Sequence, residues 1–442
     1  MKGYGVKVSM ASRGDNMHLY GHQKSGYLFM LVKDSSMRYL KIICFIIIFL
    51  LTSNGLYLRI LGHDITSGRI LAVAGGFYIG FISLYRMRIK AGGNAGLILA
   101  LWLALSLAID IVYSQHGQLI KNWASLALSV SMFYVIINLH IDWKIVQDSI
   151  IRVGFLLGAL SITVLLAKLT SFNPHGLISY LAPRSGDLHR LVLLSKEPNI
   201  LGAFMAITAI MTLPVLAFNR RRGLIYILVM LIGLVGALSK GPWLAFAVGA
   251  FSYGIILRKI NKKYTGIFKN KYVLVIATTL LIIALGLLLL FQPAVLRERD
   301  SLVRLIELKY AFLNISNNLF FGTGTFSFSL LWPHLGFLFG AHNSKAIWIS
   351  QTVVAVLHDT GIFGLILFVL FLFLLYYRAL MALIKASRSG INDDALLFSA
   401  SVIAVAFALL VQDEVTTLYS LPVYWSIMGL LFKVPGWLRG VK

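Results

Sequence analysis

Charge is scarce in this chain, and acidic charge is scarcest. Only 13% of its 442 residues are Asp, Glu, Lys or Arg, and 16 acids face 40 bases. An ordinary water-soluble domain carries roughly a quarter of its residues as charges, so that class is excluded. Cysteine is rarer still: the single thiol, Cys44, lies within the first apolar run, which rules out an internal disulfide and leaves the redox compartment unmarked. The chain has neither a C-x-x-C nor an H-E-x-x-H pattern, so spacing suggests no metal centre. No repeat of the first half is visible in the second, and inverted-repeat transporter architecture gains no support. What the chain has in quantity is apolar, with 59% hydrophobic residues and a mean hydropathy of +0.84. That composition predicts an all-α, polytopic integral membrane protein.

A span needs about twenty apolar residues. Runs of that kind fall near 41–58, 69–85, 95–113, 119–139, 149–169, 198–218, 223–238, 241–257, 272–291, 361–377, 395–412 and 416–432, which predicts twelve transmembrane helices. An even number puts both termini on one side, and the bases indicate which. With the amino terminus inside, 27 of the 40 Lys and Arg residues fall on inner segments and 13 on outer segments or outer helix ends. This is the positive-inside bias, so both termini are expected in the cytoplasm. The expected organisation is a basic cytoplasmic segment 1–40, a single transmembrane domain 41–432 and a cytoplasmic tail 433–442. The apolar run after residue 40 lacks a small-residue cleavage site and reads as a signal anchor. The net charge of +24 then reports topology and attraction to anionic headgroups of the lipid bilayer, and no nucleic acid is needed as a partner.

The same assignment sends the two longest connections, 170–197 and 292–350, to the outer face. A connection that only joins helices needs a few residues. Both carry bases on the side where insertion disfavours them: Arg184, Arg190 and Lys196 in the first, Arg297, Arg299, Arg304, Lys309 and Lys345 in the second. Snorkelling or solubility explains a single displaced arginine. Several together point to an anionic ligand, because guanidinium forks match phosphate oxygens. The second connection also holds a G-x-G step (Gly322, Gly324) and the pair His342-Asn343. After it, Asn343 to Leu357 is apolar but short of a span, which predicts a partial or re-entrant helix leading into HDTGIFG. Irregular backbone at membrane depth must be buried or line a cavity, so His342, His358 and Asp359 are expected to face one. A lone histidine is more often a packing residue, and the neighbouring arginines shift the balance toward function. The Gly-rich stretches 75–80 and 233–238 read as close helix packing, and Asp110 as a charge at the outer end of its helix.

The order Arg304, Gly322-x-Gly324, His342-Asn343 and the acid-x-Gly turn Asp359 to Gly364 resembles the signature region of the bacterial O-antigen polymerase and O-antigen ligase superfamily. Two upstream pieces are similar as well: Arg190 followed by SKEPNILGAF, and LSKGPWLAF at 238–246. The resemblance covers about residues 150–380; Lys240 stands where arginine is common, and Asp359 where glutamate is. It implies a glycosyltransferase of the bacterial inner (plasma) membrane, acting in lipopolysaccharide or exopolysaccharide biosynthesis with neither cofactor nor metal. The donor would be an undecaprenyl-pyrophosphate-linked glycan, the acceptor a second glycan, with other polysaccharide assembly proteins as partners. In that frame Arg190 and Arg304 are expected to clamp the pyrophosphate. His342 would activate the acceptor, with Asp359 or His358 orienting it, while Arg184, Lys240, Arg297 and Arg299 are further anion contacts. Polymerase is the leading expectation and ligase the next. A lipid-linked oligosaccharide flippase is the third, disfavoured because the spans carry almost no charge.

Overall fold

The computed structural model describes residues 44, 46–48, 50, 57–60, 63–86, 91–113, 118–139, 141–170, 181, 184–185, 188–189, 191–195, 197–260, 299–328, 330, 349, 351–389, 393–413 and 421–439. They form a helical bundle with two small ladders. Tyr57–Ile60 (β1) pairs antiparallel with His63–Thr66 (β2), and Arg184–Ser185 (β3) with Leu188–His189 (β4). The helices are α1 (Ser67–Arg86), α2 (Gly93–Tyr113), α3 (Gln118–Asn138), α4 (Trp143–Leu169), α5 (Pro198–Thr212), α6 (Val215–Phe218) and α7 (Arg220–Gly236). They continue with α8 (Lys240–Ile260), α9 (Arg299–Asn317), α10 (Thr352–Arg388), α11 (Asp393–Asp413) and α12 (Pro422–Arg439).

Seven segments among the described residues are long and apolar enough to cross a membrane: Gly93–Tyr113, Leu119–Asn138, Trp143–Ala167, Pro198–Phe218, Gly241–Ile260, Thr352–Arg388 and Asp393–Gln412. Their outward faces carry large apolar side chains, Phe251 at 70% and Phe373 at 59% exposure among them. Water would penalise such a surface and a lipid bilayer matches it. α5 and α11 sit innermost, with every residue of α5 from Ile200 to Thr212 buried. Small residues bring the helices close: Gly233 lies against Met205 and Ser161, and a Cβ at Gly158 would meet the Val229 carbonyl oxygen at 2.7 Å. The expectation of close packing at 233–238 is met.

Local chemistry sets the helix ends. Pro198 opens α5, where its missing N–H costs nothing. The Asn219 side chain accepts the Arg222 N–H at 3.0 Å and caps α7. Short connections at 114–117, 139–142, 213–219, 237–239 and 389–392 make successive helices antiparallel. The end of α2, the start of α3, the end of α4, the start of α5 and the α7–α8 step therefore share one end of the bundle. Basic residues such as Lys144, Arg220–Arg222, Arg258, Lys259, Lys385 and Arg388 collect at the other end.

Several boundaries differ from the sequence expectation. Tyr57 and Leu58 belong to β1 rather than to the end of the first span, because the hairpin pairs Leu58 with Ile65. α12 runs through Lys433 and Pro435 to Arg439, past the expected end at 432. Its last turns are held by the Trp437 Nε1–H donating to the Ile141 carbonyl at 3.2 Å. The run at 272–291, most of 41–58 and the segments 1–40 and 440–442 lie outside the described residues.

Candidate functional site

Of the expected partial helix Asn343–Leu357, residues 343–348 and 350 lie outside the described residues, and Thr352–Leu357 form the start of α10. α10 begins at Thr352, after Gln351 in an extended conformation, and is broken at Gly361 (φ 64, ψ −170). That conformation is essentially confined to glycine. The break frees backbone groups on both sides. In a continuous helix the carbonyls of His358 and Asp359 would accept from residues 362 and 363. Here they accept instead from Thr323 N at 2.9 Å and Gly324 N at 3.0 Å, while Ile362 N and Phe363 N donate to Leu319 O at 2.8 Å and Phe320 O at 3.5 Å. The G-x-G loop after α9 thus supplies the partners that the broken helix lost.

Glycine is required on both sides of this contact. A Cβ at Gly322 (φ +73) would stand 2.6 Å from Gly361 N, and one at Gly361 would overlap the Phe320 carbonyl oxygen. Gly324 (φ +102) lets the loop reach a second anchor, since a Cβ there would lie 2.8 Å from Asp110 Oδ1.

Two buried carboxylates grip the next two peptide groups. Thr325 N–H donates to Asp110 Oδ1 at 2.6 Å, and Phe326 N–H to Asp359 Oδ2 at 2.8 Å. The other oxygen of Asp359 lies 3.0 Å from His358 Nδ1. His358 is fully enclosed, with the Phe328 ring edge-on at 5.6 Å and Thr323 Oγ1 at 3.2 Å from Nδ1. Asn122 Nδ2 donates to the Thr325 carbonyl at 3.2 Å. The loop is therefore tied to α2, α3 and both arms of α10.

His358, Asp359, Gly322 and Gly324 come together as a unit, and Asp359 orients His358. His342, Arg190 and Arg297 fall outside the described residues. Arg299 and Arg304 are on α9. At a rise of 1.5 Å per residue, Arg304 stands about 20 Å along the axis from Asn317. The helix, not the loop, carries these arginines. Arg184 pairs with His189 in the β3–β4 ladder. Lys240 opens α8 at the α7–α8 step. There Leu191 N–H donates to the Gly236 carbonyl at 3.0 Å, and the Ser239 hydroxyl donates to Asn199 Oδ1. The SKEPNILGAF and LSKGPWLAF segments thus meet at the same end of the bundle as the loop. Among the described residues no group of three or more His, Cys, Asp or Glu side chains converges as a metal centre requires.

Sequence reasoning missed the role of Asp110. It is buried, not resting at a solvated helix end, and it is the single charged residue of α2. A lone carboxylate in a helix that is otherwise apolar is the signal that would have found it. Asp110→Ala leaves the Thr325 N–H buried without its acceptor, which costs about 1–3 kcal/mol. Asp110→Asn keeps an acceptor oxygen and is expected to lose clearly less. Thermal unfolding of detergent-purified protein checks this, and equal melting of wild type and Asp110→Ala would refute the anchor.

The chain matches no model of a known protein family, and no curated protein matches it at a significant level of similarity.

Proposed function

We propose that this protein is a membrane glycosyltransferase that polymerises undecaprenyl-pyrophosphate-linked oligosaccharide repeat units, of O-antigen or exopolysaccharide type, at the outer face of the bacterial inner membrane. One observation supports the reading above the rest. The G-x-G step and the acid-x-Gly turn, separated in sequence by more than thirty residues, are one hydrogen-bonded unit on a broken helix. In the proposed reaction an acceptor hydroxyl attacks the anomeric carbon of the donor. The new C–O bond forms as the bond from that carbon to pyrophosphate breaks, the hydroxyl proton passes to His342, and undecaprenyl pyrophosphate departs. Arginine charge offsets the negative charge growing on the leaving group.

The test is purified protein in nanodiscs with lipid-linked repeat units and EDTA. Glycan length is expected to increase without nucleotide sugar. Movement of the donor between leaflets with no change in its length would replace this reading with a transporter. Transfer of preformed polymer to a lipid A core, with no joining of repeat units, would replace it with a ligase.

Twelve spans with both termini cytoplasmic complete the proposal. Ser185→Cys and Lys309→Cys are expected to react with a membrane-impermeant maleimide added from outside, and Ser389→Cys to stay unlabelled until the membrane is opened. Labelling in the reverse order would place the G-x-G loop in the cytoplasm and remove the reaction from the outer face.

A further inference from the structure

After Asn318, the connection between α9 and the broken helix presents three exposed apolar residues. Phe320 is 59% exposed and Phe321 54%, with Leu319 beside them. Their rings extend an existing surface: Phe320 and Phe321 lie 6.0 and 5.5 Å, centroid to centroid, from Phe363 on α10. Phe363 heads a row of exposed side chains down α10, through Ile366, Val369, Leu370 and Phe373. That row belongs to a helix long and apolar enough to span a membrane, so lipid covers it. The surface does not stop where the spanning helix stops.

The charge distribution along α9 points the same way. Arg299, Asp300, Arg304, Glu307 and Lys309 occupy its first eleven residues. From there to Lys345 the sequence contains no Asp, Glu, Lys or Arg. The second half of α9 also exposes Phe312 and Leu313. A helix with charge confined to its first part and the apolar Phe312 and Leu313 exposed beyond it suits an aqueous phase at its start and hydrocarbon at its finish.

We infer that Leu319, Phe320 and Phe321, with Phe312 and Leu313, are sunk among the acyl chains of the bilayer, so that the G-x-G loop is anchored in lipid at its first residues and in buried carboxylates a few residues later. The loop spans the step from hydrocarbon to the polar interior within the stretch Leu319–Phe326. This sets the depth of the site, which lies next to the membrane surface rather than in a domain standing above it. The inference rests on surface continuity and charge, not on the proposed reaction.

Spin labels decide it. In a Cys44→Ala background, Phe320→Cys, Phe321→Cys, Phe373→Cys and Lys309→Cys each receive a nitroxide, and the protein is placed in phospholipid nanodiscs. Dissolved oxygen, which concentrates in hydrocarbon, is compared with a water-soluble nickel chelate as the relaxing collider. Oxygen is expected to dominate several-fold at 320 and 321, as at 373, and the chelate to dominate at 309. The inference fails if 320 and 321 read like 309. It also fails if neither collider reaches them while 373 reads as lipid, because protein, whether a second copy or another segment of this chain, would then cover the surface.

Discussion

Alanine at Arg304 or at Arg190 is expected to abolish glycan chain extension while the protein still inserts and accumulates in the membrane. A pyrophosphate leaving group gathers negative charge as its bond to the anomeric carbon breaks, and stabilisation specific to that moment lowers the barrier. Losing one such donor costs roughly 10²–10³ in rate where a neutral donor is removed, and a guanidinium in a site of low dielectric contributes at least as much. Arg304→Lys and Arg190→Lys are expected to restore activity in part, since a point charge cannot reproduce a bidentate fork. The settings of the two arginines differ. Arg190 precedes Leu191, whose N–H is bonded to the Gly236 carbonyl beside the helix that Lys240 opens, whereas Arg304 rides on α9. A wild-type ladder of polymer lengths from both alanine variants would remove the pyrophosphate clamp. Equal loss of protein from the membrane would make the arginines structural.

The spans were readable because a bilayer asks for little beyond length and apolarity. The seven segments long and apolar enough to cross, Gly93–Tyr113, Leu119–Asn138, Trp143–Ala167, Pro198–Phe218, Gly241–Ile260, Thr352–Arg388 and Asp393–Gln412, each contain a run that the sequence marks plainly. Ends were harder. α10 begins at Thr352, inside the apolar stretch that the sequence offers from Asn343, because apolar residues on both sides of Gln351 give periodicity no edge to detect; residues 343–348 and 350 lie outside the described residues. The hairpin over 57–66 had its own signal, two β-rich stretches separated by Leu61-Gly62, which the neighbouring apolar run obscured. DTGIFG was legible as a turn, and its meaning was not. That the freed carbonyls of His358 and Asp359 are taken up by Thr323 and Gly324 is a pairing between distant segments, invisible to local pattern. Asp110 illustrates the limit best: its acceptor role toward Thr325 crosses 215 positions, and only the folded chain puts the two together.

The loop so anchored has a fixed backbone and few free choices. Gly361 holds a conformation other residues avoid, Phe326 has a positive φ of 54, and two carboxylates bind successive N–H groups. Strain of this kind costs about 1–3 kcal/mol per residue and persists where the surroundings overdetermine it. Five backbone-to-backbone or backbone-to-carboxylate bonds between residues 323–326 or 362–363 and their partners are short enough to do so, from 2.6 to 3.0 Å. A rigid floor is what a transfer reaction needs when its chemistry consists of placing a hydroxyl against an anomeric carbon.

His342→Ala is expected to slow chain extension by about 10²–10⁴-fold in the purified system with EDTA, the range a poised general base contributes. An acceptor hydroxyl is a weak nucleophile until its proton has somewhere to go, and imidazole accepts one near neutral pH. His342 lies outside the described residues, so the expectation rests on its place in the motif order and on what the structure leaves to its neighbour. His358 is fully buried, faces Asp359 at 3.0 Å and is stacked edge-on against Phe328, an arrangement that favours holding the loop over meeting a substrate. His358→Ala is therefore expected to lower the unfolding temperature along with activity, and His342→Ala to lower activity alone. A lipid-linked repeat unit that lacks the acceptor hydroxyl should remain unextended by the unmodified protein. If extension proceeds at the wild-type rate in His342→Ala and is lost in a stably folded His358→Ala, the roles are exchanged, and the proton goes to the buried His358–Asp359 pair.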